Sequence, residues 1–113
     1  MLATYDVVDL EGAVRPLADL CGPSGIVDFW TMRCARCPAA LTQLDREAPG
    51  APTTIVACVL STRPSNEDFD EWLDFMDDRP WPNLVHAFMD FETKERAKRE
   101  LGFSHVPFQA KNC

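Results

Sequence analysis

The sequence predicts an α/β domain, a central sheet with helices on its faces, and three observations predict it. Short apolar runs, IVDFW (26–30) and TTIVACVL (53–60), are nearly continuous and β-branched, as strands covered on both faces are. Other segments carry apolar residues at helical spacing: Cys37, Leu41, Leu44 and Ala48, then Phe69, Trp72, Leu73 and Met76. The two kinds of segment alternate along 113 residues, a length that suits one domain spanning 1–113.

Each element has its own local reason. Residues 5–8 and 13–17 flank the turn DLEG and predict an N-terminal hairpin. CGPSG, residues 21–25, breaks the chain with turn formers. IVDFW follows as a buried strand interrupted by one acid, Asp28, and a helix runs from Cys34 to Pro49. After the strand at 53–60, Ser65 with Glu67 and Asp68 suits a helix N-terminus, and Pro80 closes that helix. NLVHAFM predicts a third strand. ETKERAKRELG predicts a charged helix, with Glu92–Arg96 and Glu95–Arg99 at i,i+4 and Gly102 as its stop. HVPFQA opens a last strand, and the sequence stops soon after it. A sheet ending near Phe108 exposes an edge, which favours self-association or continuation in a longer chain.

At 46% hydrophobic the chain buries a core without needing disulfides. Five unevenly spaced cysteines leave at least one thiol unpaired and do not read as a secreted disulfide scaffold. A formal charge of -7 argues against nucleic acid, whose phosphates must be met by clustered Lys and Arg. It leaves room for cationic peptides or thiols as partners. MLATYDVVDLEG has acids among its apolar residues, unlike a signal peptide, and no apolar run approaches the ~18 residues of a membrane span. The expectation is a cytoplasmic protein with no membrane partner.

The stretch FWTMRCARCPAALTQL, residues 29–44, carries the chemistry. Two cysteines at this spacing at the start of a helix bring their sulfurs within bonding distance, and the helix N-terminus stabilises a thiolate there. Cys34 is placed at the exposed end, while Cys37 shares the apolar stripe of Leu41 and Leu44 and is shielded. Arg33 and Arg36 add positive charge beside Cys34. Strand, CxxC, helix is the context of a redox pair. A zinc site would need four ligands from this pair and the scattered Cys21, Cys58, His86, His105 and Cys113. A purely structural cysteine pair is a further alternative. So is a peroxidase, because Thr31 stands three residues before Cys34 as in the T-x-x-C of peroxiredoxins, although their upstream proline is Val27 here.

Asp28, Phe29, Trp30, Cys34, Cys37 and the later Val106 and Pro107 together resemble the thioredoxin superfamily. The leading DLEGAVRPLADL and the Pro-Trp-Pro exit at 80–82 are most similar to its tryparedoxin and nucleoredoxin branch, and also to membrane-anchored bacterial thioredoxins of cytochrome maturation. The resemblance implies a thioredoxin-like three-layer fold: a central mixed sheet flanked by helices, with an N-terminal hairpin and without the family's last strand and helix. It implies a dithiol–disulfide oxidoreductase in which Cys34 is the nucleophile, Cys37 the resolving thiol and Asp28 a buried proton relay. Trp30, Arg33, Arg36, Val106 and a cis Pro107 would meet the substrate. No metal is implied, and no cofactor beyond the redox-active Cys34–Cys37 disulfide. Partners would be disulfide-containing proteins, with a low-molecular-weight dithiol or a reductase as electron donor. Arg33 departs from the family's tryptophan, and Ala35-Arg36 is neither Gly-Pro nor Pro-Pro. The rival readings are a peptide-binding module that keeps the fold without catalysis, and a peroxiredoxin-like thiol peroxidase. Cys58 reads as a core thiol, His86 as a structural strand residue, and His105 as a neighbour of the site able to influence Cys34. Cys21 falls in the turn, and Cys113, at the terminus, is available for intermolecular disulfides.

Overall fold

The computed structural model describes residues 5–111, so Cys113 lies outside the described residues. Its sheet has six strands in the order β2-β1-β5-β4-β3-β6. β1 (Asp6–Asp9) and β2 (Val14–Pro16) form the antiparallel N-terminal hairpin. β3 (Ile26–Trp30), β4 (Ile55–Leu60) and β5 (Val85–Met89) run parallel at the centre. β1 and β6 (Phe108–Lys111) pair antiparallel on either side of this core, making the sheet mixed.

Helices cover both faces. α2 (Cys37–Glu47) links β3 to β4 and α3 (Asp68–Met76) links β4 to β5; Leu41 of α2 and Trp72 and Met76 of α3 pack on Trp30, Ala57, Val59 and Phe88. α1 (Leu17–Cys21) and α4 (Phe91–Leu101) cover the other face, where Leu17, Cys21 and Ala97 meet Val27, Phe29, Cys58 and Met89. β4 is buried at all six positions, as its near-continuous apolar run requires. The layers are therefore α1/α4, sheet, and α2/α3. Among the described residues no helix is long and apolar enough to cross a membrane.

Three boundaries differ from the sequence expectation. The second hairpin strand ends at Pro16, and Leu17 to Cys21 is a short helix rather than strand and turn. Tertiary packing wins there, because a helical turn puts Leu17 and Cys21 on one buried face. Gly25 then passes so close to the Cys21 backbone that a Cβ would collide with its carbonyl. α2 begins at Cys37, not Cys34, with Pro38 in the first turn where a missing N–H costs nothing. α3 begins at Asp68, three residues after Ser65, because Asp68 turns back to brace the end of β4. Its carboxylate accepts from Ser61 Oγ and from Thr62 N, both at 2.7 Å. α4 follows expectation closely: Asp90 caps it by accepting from Thr93 N at 2.8 Å, and Gly102 ends it at φ 76°, where a side chain would be strained. The last strand forms from Phe108 and is the sheet edge beyond β3.

Candidate functional site

Parallel β3 and β4 end at the same edge of the sheet, and antiparallel β6 begins there, with Phe108 opposite Phe29. Loops 31–36, 61–67 and 102–107 therefore gather at that edge. The first leaves Trp30 and folds into a turn closed by Cys34 N donating to Thr31 O at 3.2 Å. Cys37 N then donates to Cys34 O at 3.3 Å, so the helix starts directly beneath Cys34.

Cys34 and Cys37 are joined by a disulfide, with Cα atoms 5.4 Å apart. Cys34 is partly exposed and Cys37 fully buried, packed with Trp30, Leu41 and Ala57. The third loop brings Val106 to the pair: its carbonyl oxygen lies 3.7 Å from Cys34 Sγ, and the Val106–Pro107 bond is cis. A disulfide sulfur has no proton to donate, so this contact becomes a hydrogen bond only when Cys34 is a thiol.

Asp28 lies two residues before Trp30 on β3 and so points to the same face, the one that carries Cys37. It is 1% exposed, and its carboxylate oxygens make no close, well-aligned hydrogen bond among the described residues, the Gln109 amide approaching without reaching that geometry. Burial pushes its carboxyl up to about 6, and only the amide of Gln109, opposite it on β6, works against the rise. Trp30 is buried as well, with its indole N–H unpaired among the described residues.

Trp30 belongs to an aromatic group that the sequence reading missed. Its ring lies 5.6 Å edge-on from Trp81 and 6.1 Å from Phe75, and those two rings are 5.6 Å apart. Trp81 has a left-handed backbone, φ 52°, and is tied at both ends. Its indole N–H donates to Thr42 Oγ1 on α2 at 3.0 Å, and its carbonyl lies 2.9 Å from His86 Nε2. Burial lowers the His86 pKa, and the hydrogen bond to that carbonyl and the charge of Asp45 work against the fall. The one visible signal was the Pro80-Trp81-Pro82 run, whose tertiary contacts lie 39 and 51 residues upstream.

Arg33 and Arg36 stand exposed on either side of Cys34. Arg33 Nη2 is 3.5 Å from Glu71 Oε2 on α3, so part of its charge is already met. His105 is exposed on the third loop, two residues before Pro107. The structure thus gathers Asp28, Trp30, Arg33, Cys34, Arg36, Cys37, Val106 and Pro107 along β3 and the loops at its end. Cys21 and Cys58 lie buried on the opposite face.

Solved structures share this fold. The chain superposes on the thioredoxin domain of a thiol-disulfide oxidoreductase from Bacteroides vulgatus with a TM-score of 0.73, over 98% of this chain and 78% of that one, at 16% identity. A thiol:disulfide interchange protein from Bacteroides sp. gives 0.74 over 95% and 68%, also at 16%. A thio-disulfide isomerase from Thermus thermophilus gives 0.69 over 95% and 72%, at 18%. The fold is thioredoxin-like. These neighbours are thiol-disulfide oxidoreductases of the thioredoxin superfamily, and at such identities the likeness establishes the fold alone. No protein-family model and no curated protein sequence matches the chain.

Proposed function

We propose that this protein is a dithiol–disulfide oxidoreductase acting through Cys34 and Cys37. The observation that carries the reading is the asymmetry of the pair: a sulfur that solvent reaches, bonded to one that it does not, at the start of a helix. In the reduced protein the Cys34 thiolate attacks a substrate disulfide, forming a mixed disulfide and releasing one substrate thiolate. Cys37 passes its proton to the Asp28 carboxylate and attacks Cys34 Sγ. The second substrate thiolate leaves, and the protein holds the Cys34–Cys37 disulfide, two electrons poorer. An external dithiol or a reductase returns the electrons. A carboxyl near 6 suits Asp28 to this exchange, being ionised enough at neutral pH to accept and basic enough to hold a proton.

Val106 offers its backbone to the substrate beside the scissile disulfide, in the manner of an added strand. The β1–β2 hairpin and the Pro80–Pro82 exit favour the tryparedoxin and nucleoredoxin branch, with a low-molecular-weight dithiol as donor. The β6 edge is the place for self-association. Insulin reduction by dithiothreitol tests the assignment: the native protein should accelerate it and Cys34→Ser should not. Peroxide consumption without disulfide reduction would favour the peroxidase instead.

A further inference from the structure

Charge is unevenly distributed around Cys34. The chain carries 18 acids against 11 Lys and Arg, yet the loops 31–36, 61–67 and 102–107 hold Arg33, Arg36 and Arg63 against one acid, Glu67. Arg33 and Arg63 come from different loops and converge on a single carboxylate. Glu71 Oε2 is 3.5 Å from Arg33 Nη2, and Glu71 Oε1 is 3.3 Å from Arg63 Nη1. Glu67 Oε2 also reaches Arg63 Nη1, at 3.4 Å. The Arg33 side chain is 57% exposed and that of Glu71 39%, so water screens the pair and it adds little to stability. Its information is geometric: two guanidinium groups, one of them on the residue before Cys34, are spaced to share one carboxylate from outside β3 and its loop.

We propose that this rim recognises acidic substrates. The polypeptide whose disulfide is reduced carries an Asp or Glu next to its cysteine, and that carboxylate displaces Glu71 from between Arg33 and Arg63. Arg36, exposed at the N-cap of α2, meets a second acid on the far side of Cys34. Guanidinium groups suit the task because they bind carboxylates through two N–H donors at once. Glu71 is then an internal competitor that keeps the rim occupied while no substrate is bound. The inference rests on the oxidoreductase reading and runs against the chain's overall charge, which repels acidic partners at long range.

The experiment uses two short cyclic disulfide peptides, one flanked by Glu and one by Lys, with uncharged hydroxyethyl disulfide as reference and dithiothreitol as reductant. The Glu peptide should be reduced with a kcat/KM about tenfold above the Lys peptide. Arg33→Ala and Arg63→Ala should each lower the ratio of the Glu-peptide value to the reference value roughly three- to tenfold, through KM. Glu71→Gln should lower KM for the Glu peptide, the opposite of what losing a structural ion pair does. Equal use of both peptides, preference for Lys, or a Glu71→Gln variant indifferent to charge would overturn the proposal. If the reference itself is not reduced, the oxidoreductase reading fails. Binding of serine-for-cysteine versions of the same peptides then decides recognition separately: Glu tighter than Lys upholds it, and the reverse or no difference removes it.

Discussion

Cys34 and Cys37 lie on the α2/α3 side of the sheet, and Cys21 and Cys58 lie on the α1/α4 side. Cys37 is the first residue of a helix, whereas Cys21 is the last residue of one, where the dipole disfavours a thiolate. Burial pushes the Cys21 thiol up to about 11. It pushes Cys58 higher still, with the nearby Cys21 and Asp28 adding to the rise. A thiol held protonated is neither a nucleophile nor a ready partner for exchange. What separates the two pairs is the end of the helix each meets and its distance from solvent, not the residue type.

The largest effect breaks the comparison at the reactive pair. Cys34→Ser should reduce disulfide reductase activity to background, and Cys37→Ser should trap a mixed disulfide with substrate through Cys34. Cys21→Ala should leave the rate unchanged. An adduct that persists without Cys34, detected by mass spectrometry, would put the nucleophile elsewhere.

Alkylation sharpens the contrast within one protein. At pH 7 a thiol near 11 is ionised about 300-fold less than a free cysteine near 8.5, before any effect of access. In the reduced native protein iodoacetamide should therefore label Cys34 first, and Cys21 and Cys58 only at the rate of unfolding. Peptide mapping over time gives the order, and early labelling of Cys58 would mean that the α1/α4 face opens without global unfolding.

Asp28 is buried on the α2/α3 side of the sheet, and its energetics carry a definite sign. Its carboxyl titrates near 6 folded and near 3.8 unfolded, so the folded state binds the extra proton. Stability from this group is fully present below pH ~4 and is lost as pH rises through 6, a cost of about 3 kcal/mol at pH 7. Asp28→Asn should recover up to that amount at pH 7 and almost nothing at pH ~4, while slowing the step in which Cys37 resolves the mixed disulfide. Urea denaturation at the two pH values, with single-turnover kinetics, checks both halves. Equal stabilisation at both would mean that the carboxylate is solvated in solution.

Long, strongly patterned elements were legible in the sequence, and so was the order of strand, CxxC and helix. IVDFW and TTIVACVL have no alternative to burial on both faces, and ETKERAKRELG carries its own stop at Gly102. The five-residue α1 was not legible, since VRPLADLC is too short for a period to declare itself. Ser65 is locally as good a helix start as Asp68, and only the contacts of Asp68 with Ser61 and Thr62 decide between them. At the site, spacing brought out Cys34 and Cys37 but not Glu71 or Trp81, whose partners are far away in the chain. Charges and ring contacts between distant segments leave no local pattern.

The smallest effect concerns how the α2/α3 face holds its helix. The α1/α4 face stacks Phe29, Phe103 and Phe108, rings without polar atoms, and those contacts ask nothing of their neighbours. The α2/α3 face uses Trp30, Phe75 and Trp81, and Trp81 reaches α2 through a directed bond to Thr42. Asn83 strengthens the same tie, its N–H donating to Asp45 Oδ1 at 2.7 Å and its side-chain amide to the Asp45 carbonyl at 3.2 Å. Thr42→Val keeps the shape and removes the acceptor for the indole N–H, so it should cost about 1 kcal/mol. The loss belongs to the loop at 79–83 more than to the global fold, because the left-handed backbone of Trp81 stores strain that the bond helps to hold. Hydrogen exchange should therefore quicken at 79–84 and in α2, with the α1/α4 face unchanged. A uniform rise in exchange across both faces would show that the bond stabilises the domain as a whole and does not specifically hold α2.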